Sequence, residues 1–266
     1  MTDPIDVRTF IQGRRVAADD VRRWEERRAR AVMRTLATRL GRRAMGELLA
    51  GRALGELRAD PVDVQRAALT AMKARLGHAG VYALLRPDLA ASEATARVAV
   101  AASRGRSAFS VTRLEARGPS ADGIDTWFDD LVASNREDVM VRACPDHYLL
   151  RALPDGRQEV VETTGGSPVA TRFLVDYART DRLATPPDPR YPVQIAGEAV
   201  LDDGTRIGGV RHQFRDRDGT LEALLTVEFP ATTPPWMLRQ HEWHLAVEFG
   251  NWLASYARET GASRPS

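Results

Sequence analysis

The sequence predicts an α+β fold in which a curved antiparallel sheet grips one long C-terminal helix, preceded by an N-terminal helical region. Between residues 148 and 229, several short apolar or alternating segments are separated by tight turns rich in Gly, Pro and Asp, the pattern of an antiparallel meander. Residues 236–256 then carry apolar side chains at helical spacing. That helix must bury its apolar side against the sheet, and we expect a cavity between the two.

The N-terminal part of the chain is predicted to be helical. Residues 16–57 keep apolar side chains at roughly helical spacing among many arginines. Asp60-Pro61 begins a second helix that Gly77 is expected to end, and residues 92–103 form a third. A cluster of helix-breaking residues at 118–123 follows. We therefore expect a helical region over residues 1–118 and a sheet-plus-helix domain over residues 119–266.

Six strands are predicted in the second half of the chain, each bounded by turn residues. They cover residues 148–153, 159–164, 171–175, 193–201, 206–214 and 220–229. The C-terminal helix begins after Pro234-Pro235, because proline is favoured in the first helical turn.

Composition limits the classes of protein to be considered. The formal net charge is only +2, so no strong overall field favours nucleic acid or anionic membranes. The single cysteine, Cys144, excludes an internal disulfide, and no apolar run approaches the roughly 20 residues that cross a bilayer. No apolar segment near Met1 resembles a secretory signal, so a cytoplasmic protein without a membrane partner is expected. The sequence leaves open whether the chain forms a homodimer.

The arginine-rich N-terminal helices raise one further alternative. Their positive charge is typical of a surface that binds a polyanion. However, Asp19, Asp20, Glu25 and Glu26 alternate with the arginines at spacings of three and four, as on an ordinary solvated helix face. Nucleic acid is therefore not the favoured partner.

The C-terminal helix carries the strongest candidate for chemistry. His241, His244 and Glu248 are three and four residues apart, so they share one side of the helix. Two imidazoles and a carboxylate on adjacent turns can form a divalent-metal site. The alternative is a half-buried helix whose histidines cap carbonyl groups or face water.

Strand register indicates further groups on the cavity side. A short hairpin loop at residues 154–157 places Leu149 opposite Glu162, which makes His147 a diagonal neighbour of Glu162 on one face. A metal could bridge His147 and Glu162, and the sequence leaves open whether His147 or His241 completes the ligand set. The alternatives are an exposed strand carboxylate for Glu162 and an ordinary loop position for His147.

The last hairpin places His212 in the cavity. Pairing Arg215 with Thr220 sets His212 opposite Ala223, and the preceding hairpin sets it opposite Ile195, beside inward apolar side chains. The alternative for His212 is a core histidine that is satisfied by one carbonyl group.

Residues 146–256 resemble the 2,4-diacetylphloroglucinol hydrolase and phloretin hydrolase family, zinc enzymes that cleave a carbon–carbon bond between an acyl group and a phenolic ring. The resemblance rests on His147, on Glu162 in the segment Glu-Thr-Thr-Gly-Gly, and on the pair His244 and Glu248. It implies a helix-grip core of the START type and a zinc ion held by these four residues. His212 would correspond to an additional catalytic histidine.

The implied chemistry is consistent with the residues present. A metal in such a site lowers the pKa of bound water toward about 7 and polarises an acyl carbonyl group. His212 or His241 could then protonate the ring carbon as it leaves, and three tyrosines are candidates to hold phenolic hydroxyl groups. These are Tyr148, Tyr177 and Tyr191.

The favoured hypothesis is thus a metal-dependent hydrolase that cleaves a C–C bond, acyl–aryl or β-dicarbonyl in type, in an aromatic or polyketide-like molecule. A second hypothesis is a non-catalytic helix-grip protein that binds or carries an apolar or aromatic ligand. A third is an interaction module whose N-terminal helix contacts a polyanion. The sequence contains no phosphate-binding glycine loop, Gly-x-Ser-x-Gly motif or Cys-x-x-Cys pair.

Overall fold

The computed structural model of the protein describes residues 5–261, and its fold is α+β. The strands are β1 (Val7–Ile11), β2 (Arg14–Val16), β3 (Ser107–Arg117), β4 (His147–Ala152), β5 (Gln158–Glu162), β6 (Thr171–Asp176), β7 (Val193–Val200), β8 (Arg206–Arg217) and β9 (Thr220–Pro230). The helices are α1 (Ala18–Leu48), α2 (Leu54–Ala59), α3 (Val62–Ser103), α4 (Ala121–Ala133), α5 (Glu137–Arg142) and α6 (Pro235–Thr260). A short 3-10 turn, Thr164–Gly166, follows β5.

The nine strands form one open antiparallel sheet in the order β2-β1-β3-β9-β8-β7-β6-β5-β4. The six expected strands are β4 to β9. The first 118 residues, expected to be helical, also supply β1, β2 and β3, and β3 pairs with β9 along its whole length. In β3 the deeply buried side chains include Ser110 and Thr112, so the apolar alternation that marks a strand is weak.

The sheet therefore continues across the expected domain boundary at residue 118. The expected domains also include residues 1–4 and 262–266, which lie outside the described residues.

The stretch over residues 16–57 that was expected to be helical contains two helices, α1 and α2. Gly77, with a φ of +62°, interrupts the helical conformation as expected, but the helix resumes beyond it and α3 runs to Ser103. Helices α1 and α3 pack together around a core that includes Val32, Leu36, Met72 and Leu85. None of the helices in residues 5–261 is both long enough and apolar enough to span a bilayer.

Some charged side chains on α1 form the expected pairs along the helix, since Arg23 pairs with Asp20 and Arg30 with Glu26, at spacings of three and four residues. These contacts are what the solvated-face interpretation of the arginines predicts. Glu25, expected on the same solvated face, is instead buried and pairs with Arg66 of α3.

Helix α6 begins where the double proline predicts, with Pro235 in its first turn, and it ends before Gly261 in a left-handed conformation. Its inward side chains, among them Leu245, Phe249 and Leu253, join the main core against the inner face of the sheet. This arrangement forms the wall on which His241, His244 and Glu248 lie.

Strands β4 and β5 are buried on both faces. Leu150 and Val160 belong to the core beneath α6, whereas Leu149 and Val161 belong to the core of α1 and α3. Strict alternation would place His147 on the same face as Leu149. A β-bulge between these two residues interrupts the alternation and turns His147 toward α6.

The expected register is wrong by one residue in the β4–β5 hairpin, where Ala152 rather than Leu153 pairs with Gln158. The bulge shifts the pairing by one more residue, which returns His147 to the face that was predicted for it. His147 and Glu162 are therefore direct partners instead of diagonal neighbours.

In the last hairpin, β9 begins at Thr220 as predicted, but β8 extends beyond its predicted end to Arg217, because Asp218 and Gly219 alone form the loop. His212 consequently pairs with Leu225 rather than Ala223. This shift of two residues keeps every side chain on its predicted face, and the expected pairing of His212 with Ile195 is confirmed.

Candidate metal centre

Four side chains from three parts of the chain meet beneath α6. His147 lies at the start of β4, Glu162 at the end of β5, and His244 and Glu248 on successive turns of α6. Both imidazoles are almost fully buried, at 0% and 1% exposure. These are the four residues that the family resemblance singled out.

The nitrogen and oxygen atoms of this group have the spacing of metal ligands. The two Nε2 atoms of His147 and His244 are 3.1 Å apart. An oxygen of Glu162 lies 3.6 Å from each of them. Glu248 places one oxygen 3.3 Å from the His147 Nε2 and the other 3.9 Å from the His244 Nε2. Ligands around a tetrahedral ion with bonds of about 2.0 Å are separated by about 3.3 Å, so the spacing of these donor atoms is compatible with a bound divalent cation.

The tautomer of His147 is fixed by its other nitrogen. Nδ1 of His147 lies 3.2 Å from the carbonyl oxygen of Met140, which can only accept a hydrogen bond. The proton therefore lies on Nδ1, and the lone pair of Nε2 points toward Glu162, His244 and Glu248.

The second nitrogen of His244 has a different environment. Its Nδ1 lies 3.7 Å from the sulfur of Cys144 and 3.9 Å from a carboxylate oxygen of Asp146. Cys144, His147 and His244 each have one donor atom within 4.8 Å of the others, which defines a competing group of ligands. Burial raises the pKa of the Cys144 thiol well above its usual value in the metal-free protein, which disfavours a free nucleophilic thiolate, whereas a bound cation would oppose this effect. The four-residue group is favoured by its closer spacing, because its imidazole nitrogens lie 3.1 Å from each other and 3.3–3.9 Å from the carboxylate oxygens.

Local structure orients Glu162. The Thr164 hydroxyl donates a hydrogen bond to one carboxylate oxygen, which leaves the other oxygen facing the two imidazoles. The turn after Glu162 lies so close to α6 that a Cβ atom on Gly165 would be 2.5 Å from the carbonyl oxygen of Met237. Glycine also tolerates the φ of +54° found there.

The group is electrostatically coupled in the absence of an ion. Burial raises the pKa of Glu162 to about 7, and the nearby Glu248 carboxylate adds to this effect. Burial lowers the pKa of His147, but hydrogen bonding to Glu248 and the charge of Glu248 outweigh it and raise the pKa overall. Burial lowers the pKa of His244 well below its usual value. A divalent cation would favour the charged carboxylates and the neutral imidazoles together.

A cavity of about 990 Å³ adjoins this group, between the sheet and α6. Its wall is mostly apolar and includes Glu162, His244 and Glu248, so the four-residue group borders a space large enough for an aromatic molecule. Among the described residues that line it, no Lys or Arg is found.

The two histidines expected to take part in proton transfer also line the cavity. His241 is stacked on His244, with ring centroids 4.9 Å apart, and His212 packs edge-on against Phe249. Nδ1 of each has no hydrogen-bond partner among the described residues. Burial lowers the pKa of both imidazoles to about 3, so both are neutral at pH 7.

Helical spacing in the sequence predicts Trp252 on the same side of α6 as His244, and Trp252 does line the cavity, where its indole N–H has no partner among the described residues. The sequence did not single out Asp146, Arg28 or Lys73, although all three lie near the site. Of the three tyrosines expected to hold a ligand, Tyr177 lines the cavity. Tyr148 faces the N-terminal core, and Tyr191 lies beneath the guanidinium group of Arg215.

Comparison with protein-family models gives no match. Comparison with curated proteins gives none either. Among solved structures, the chain is similar to the protein Ms6760 from Mycobacterium smegmatis, with 15% identity and a TM-score of 0.34. The match covers 57% of this chain and 92% of that one. A similarity of this size carries no argument about fold or activity, so the function is argued from the geometry of the site.

Proposed function

We propose that the protein is a metal-dependent hydrolase that cleaves a C–C bond, acyl–aryl or β-dicarbonyl in type, in an aromatic or polyketide-like molecule. The observation that carries the proposal is the meeting of His147, Glu162, His244 and Glu248 at the wall of a large apolar cavity. We also propose that the sheet and α6 form a START-like helix-grip. Helix α6 lying across an antiparallel sheet, with the cavity between them, supports that assignment.

The four residues would hold zinc, with the carboxylates of Glu162 and Glu248 balancing its charge and one further position left open to water or substrate. Bound in this way, the ion would supply hydroxide at neutral pH and would polarise the acyl carbonyl group. The overall reaction adds water across the bond, so the acyl group leaves as a carboxylic acid and the ring carbon gains a proton.

The cavity histidines would handle that proton. Because both imidazoles are neutral, His212 or His241 would act as a relay, taking a proton from a phenolic hydroxyl group at one nitrogen while the other nitrogen gives one to the ring carbon. The unpartnered Nδ1 atoms and the Trp252 N–H need hydrogen-bond partners, and the oxygen atoms of a phenolic ligand would provide them.

The lining also indicates the charge of the ligand. The absence of Lys and Arg from the described lining residues, together with the presence of Asp125 and Asp129, disfavours phosphate and carboxylate groups in the cavity. A neutral aromatic compound suits this wall better than an anionic one.

The unpartnered nitrogens also favour a second candidate function. They would serve equally well in a protein that binds or carries an apolar oxygenated ligand without changing it. This alternative requires no metal, and metal dependence therefore separates the two.

The proposal is tested by incubating zinc-loaded protein with neutral acyl-phenols, such as 2,4-diacetylphloroglucinol and 2-acetylphenol, and with a β-diketone. Mass spectrometry in ¹⁸O-labelled water should detect one heavy oxygen in the released carboxylic acid. His244→Ala should abolish the reaction, whereas His78→Ala, a change at a histidine bound to Glu137 on the surface, should not. Stoichiometric binding of these compounds without turnover, with or without zinc, would favour the carrier function.

A further inference from the structure

Asp146 is the most deeply buried acidic residue next to the candidate metal centre, at 0% exposure. Its carboxylate accepts three hydrogen bonds from the guanidinium group of Arg28 on α1, at 2.8–3.1 Å. Its backbone carbonyl oxygen accepts another from the amide of Thr163, the residue after Glu162. Asp146 thus connects helix α1 to both strands that carry metal-ligand candidates.

The carboxylate of Asp146 faces the side of His244 that points away from Glu162 and Glu248. At 3.9 Å from Nδ1, its negative charge favours a proton on that nitrogen. The lone pair of His244 is then on Nε2, where His147, Glu162 and Glu248 converge. Carboxylates behind a ligating histidine orient the ring in this way in many metal sites.

Lys73 holds the same segment from helix α3. It is 3% exposed, and its ammonium group donates hydrogen bonds to the carbonyl oxygens of Pro145, at 2.7 Å, and of His147. The two carbonyl groups lie on either side of Asp146, so the backbone that presents His147 is fixed at both ends. From α6, the Asn251 amide donates to the carbonyl oxygen of Ala143 at 2.8 Å.

A role in stability alone does not account for this arrangement. Burying a charged pair costs desolvation that its attraction often fails to recover, and apolar residues of similar volume commonly serve stability as well or better. The charges of Arg28, Lys73 and Asp146 are instead directed at one short segment that carries a ligand candidate. Such a network can fix the position and orientation of the residues in that segment.

We propose that Arg28, Asp146 and Lys73 are positioning residues through which the N-terminal helices α1 and α3 hold His147 and His244 in metal-binding orientation. This inference rests on the proposed metal site. It assigns the N-terminal helices a part in that site, in addition to their own core.

The test is zinc affinity, measured by competition with a chromophoric chelator on the full chain, for the variants Arg28→Met, Asp146→Asn and Lys73→Met. Each should bind zinc about 10- to 100-fold more weakly than the wild type. The cobalt-substituted variants should show altered visible absorption bands, which report ligand geometry. Arg39→Met is the matched control, because Arg39 also joins α1 to a carboxylate on α3, Asp88, at 2.7 Å. It should lower thermal stability without changing zinc affinity.

The outcomes separate the two proposals. If the wild type binds no zinc, the metal site itself is wrong. If the wild type binds zinc, the three variants are compared with the wild type and with Arg39→Met. The positioning role is overturned if all of these proteins have the same zinc affinity and the same cobalt spectrum. Should Arg28→Met fail to fold, Asp146→Asn decides, since it removes the charge with almost no change in shape.

Discussion

The Nε2 atoms of His147 and His244 lie 3.1 Å apart in the protein interior, although the two residues are separated by 97 positions in the chain. When His147 is neutral, the Met140 carbonyl group holds its proton on Nδ1, so its Nε2 presents a lone pair to its neighbour. Two lone pairs at this distance would repel each other, so the pair requires a proton or a metal ion between the rings. The two carboxylates beside them make a cation the favourable occupant.

Zinc-free protein should therefore bind one equivalent of zinc and gain stability from it. With free zinc at a hundred times the Kd, the free energy of unfolding should rise by about 2.7 kcal/mol. His244→Ala and Glu162→Gln should bind far less zinc and lose most of that gain. Metal content by plasma mass spectrometry and urea denaturation with and without zinc would check this. His78→Ala should behave as the wild type, and a gain retained in all variants would contradict the site.

Acid should destabilise the metal-free protein partly through His212. Its pKa is about 3 in the folded protein and about 6.5 when unfolded, so the unfolded chain binds more protons between these values. The associated stability is present above pH 6.5 and is lost as the pH falls toward 3, by up to about 1.4 kcal/mol per pH unit. His212→Gln should flatten the dependence in urea titrations between pH 4 and 6.5.

Glu162 has the opposite effect on the pH dependence of stability, so the prediction for His212 is tested by the difference between the wild type and His212→Gln. Its pKa is raised to about 7, so its ionisation removes stability as the pH rises from about 4.5 to 7. That contribution is common to the wild type and His212→Gln and cancels in their difference. Equal slopes for the two proteins would show that His212 is not held neutral by burial.

Gly165 should be sensitive to the addition of a single methyl group. Gly165→Ala must relieve a 2.5 Å contact with the Met237 carbonyl oxygen and also adopt a positive φ, so we expect a loss of at least about 2 kcal/mol. Zinc affinity should fall as well, because Glu162 precedes this turn. Gly204→Ala is the matched control, with a φ of +81° and no atom near the new methyl group. Equal losses in unfolding experiments would mean that close contact with α6 is unimportant.

The cavity should discriminate by charge. Because its described lining has no Lys or Arg, the neutral probe 2-acetylnaphthalene should bind at least about tenfold more tightly than 2-naphthoate. Isothermal titration calorimetry at pH 7.5 would measure both affinities. The introduction of an arginine by Val210→Arg should reverse the preference, whereas preferential binding of the anion by the wild type would argue against a neutral substrate.

Much of the second half of the fold could be predicted because its signals are local. Tight turns with Asp-Gly or Pro-Asp-Gly join β4 to β5, β7 to β8 and β8 to β9, and the double proline marks the start of α6. Strand β3 was not predicted, since its buried side chains include Ser110 and Thr112 in place of large apolar residues. Neither β1 nor β2 is long enough to show a clear pattern.

The candidate site was predictable where residues share one element, as His244 and Glu248 do. The position of His147 was obtained despite a register error, because the bulge before Leu149 shifts the strand by one residue and local sequence gives no signal for it. The contributions of Arg28 and Lys73 depend on the docking of α1 and α3, which no sequence spacing specifies.

The order of strands has a consequence for how the protein matures during synthesis. Strand β3 ends at Arg117 but its partner β9 ends at Pro230, so the two halves of the sheet cannot join until more than about a hundred further residues have left the ribosome. During that interval the unpaired edge of β3 is exposed and prone to aggregation. Two of the proposed ligands lie on α6, which follows β9, so metal uptake would come after the sheet has closed.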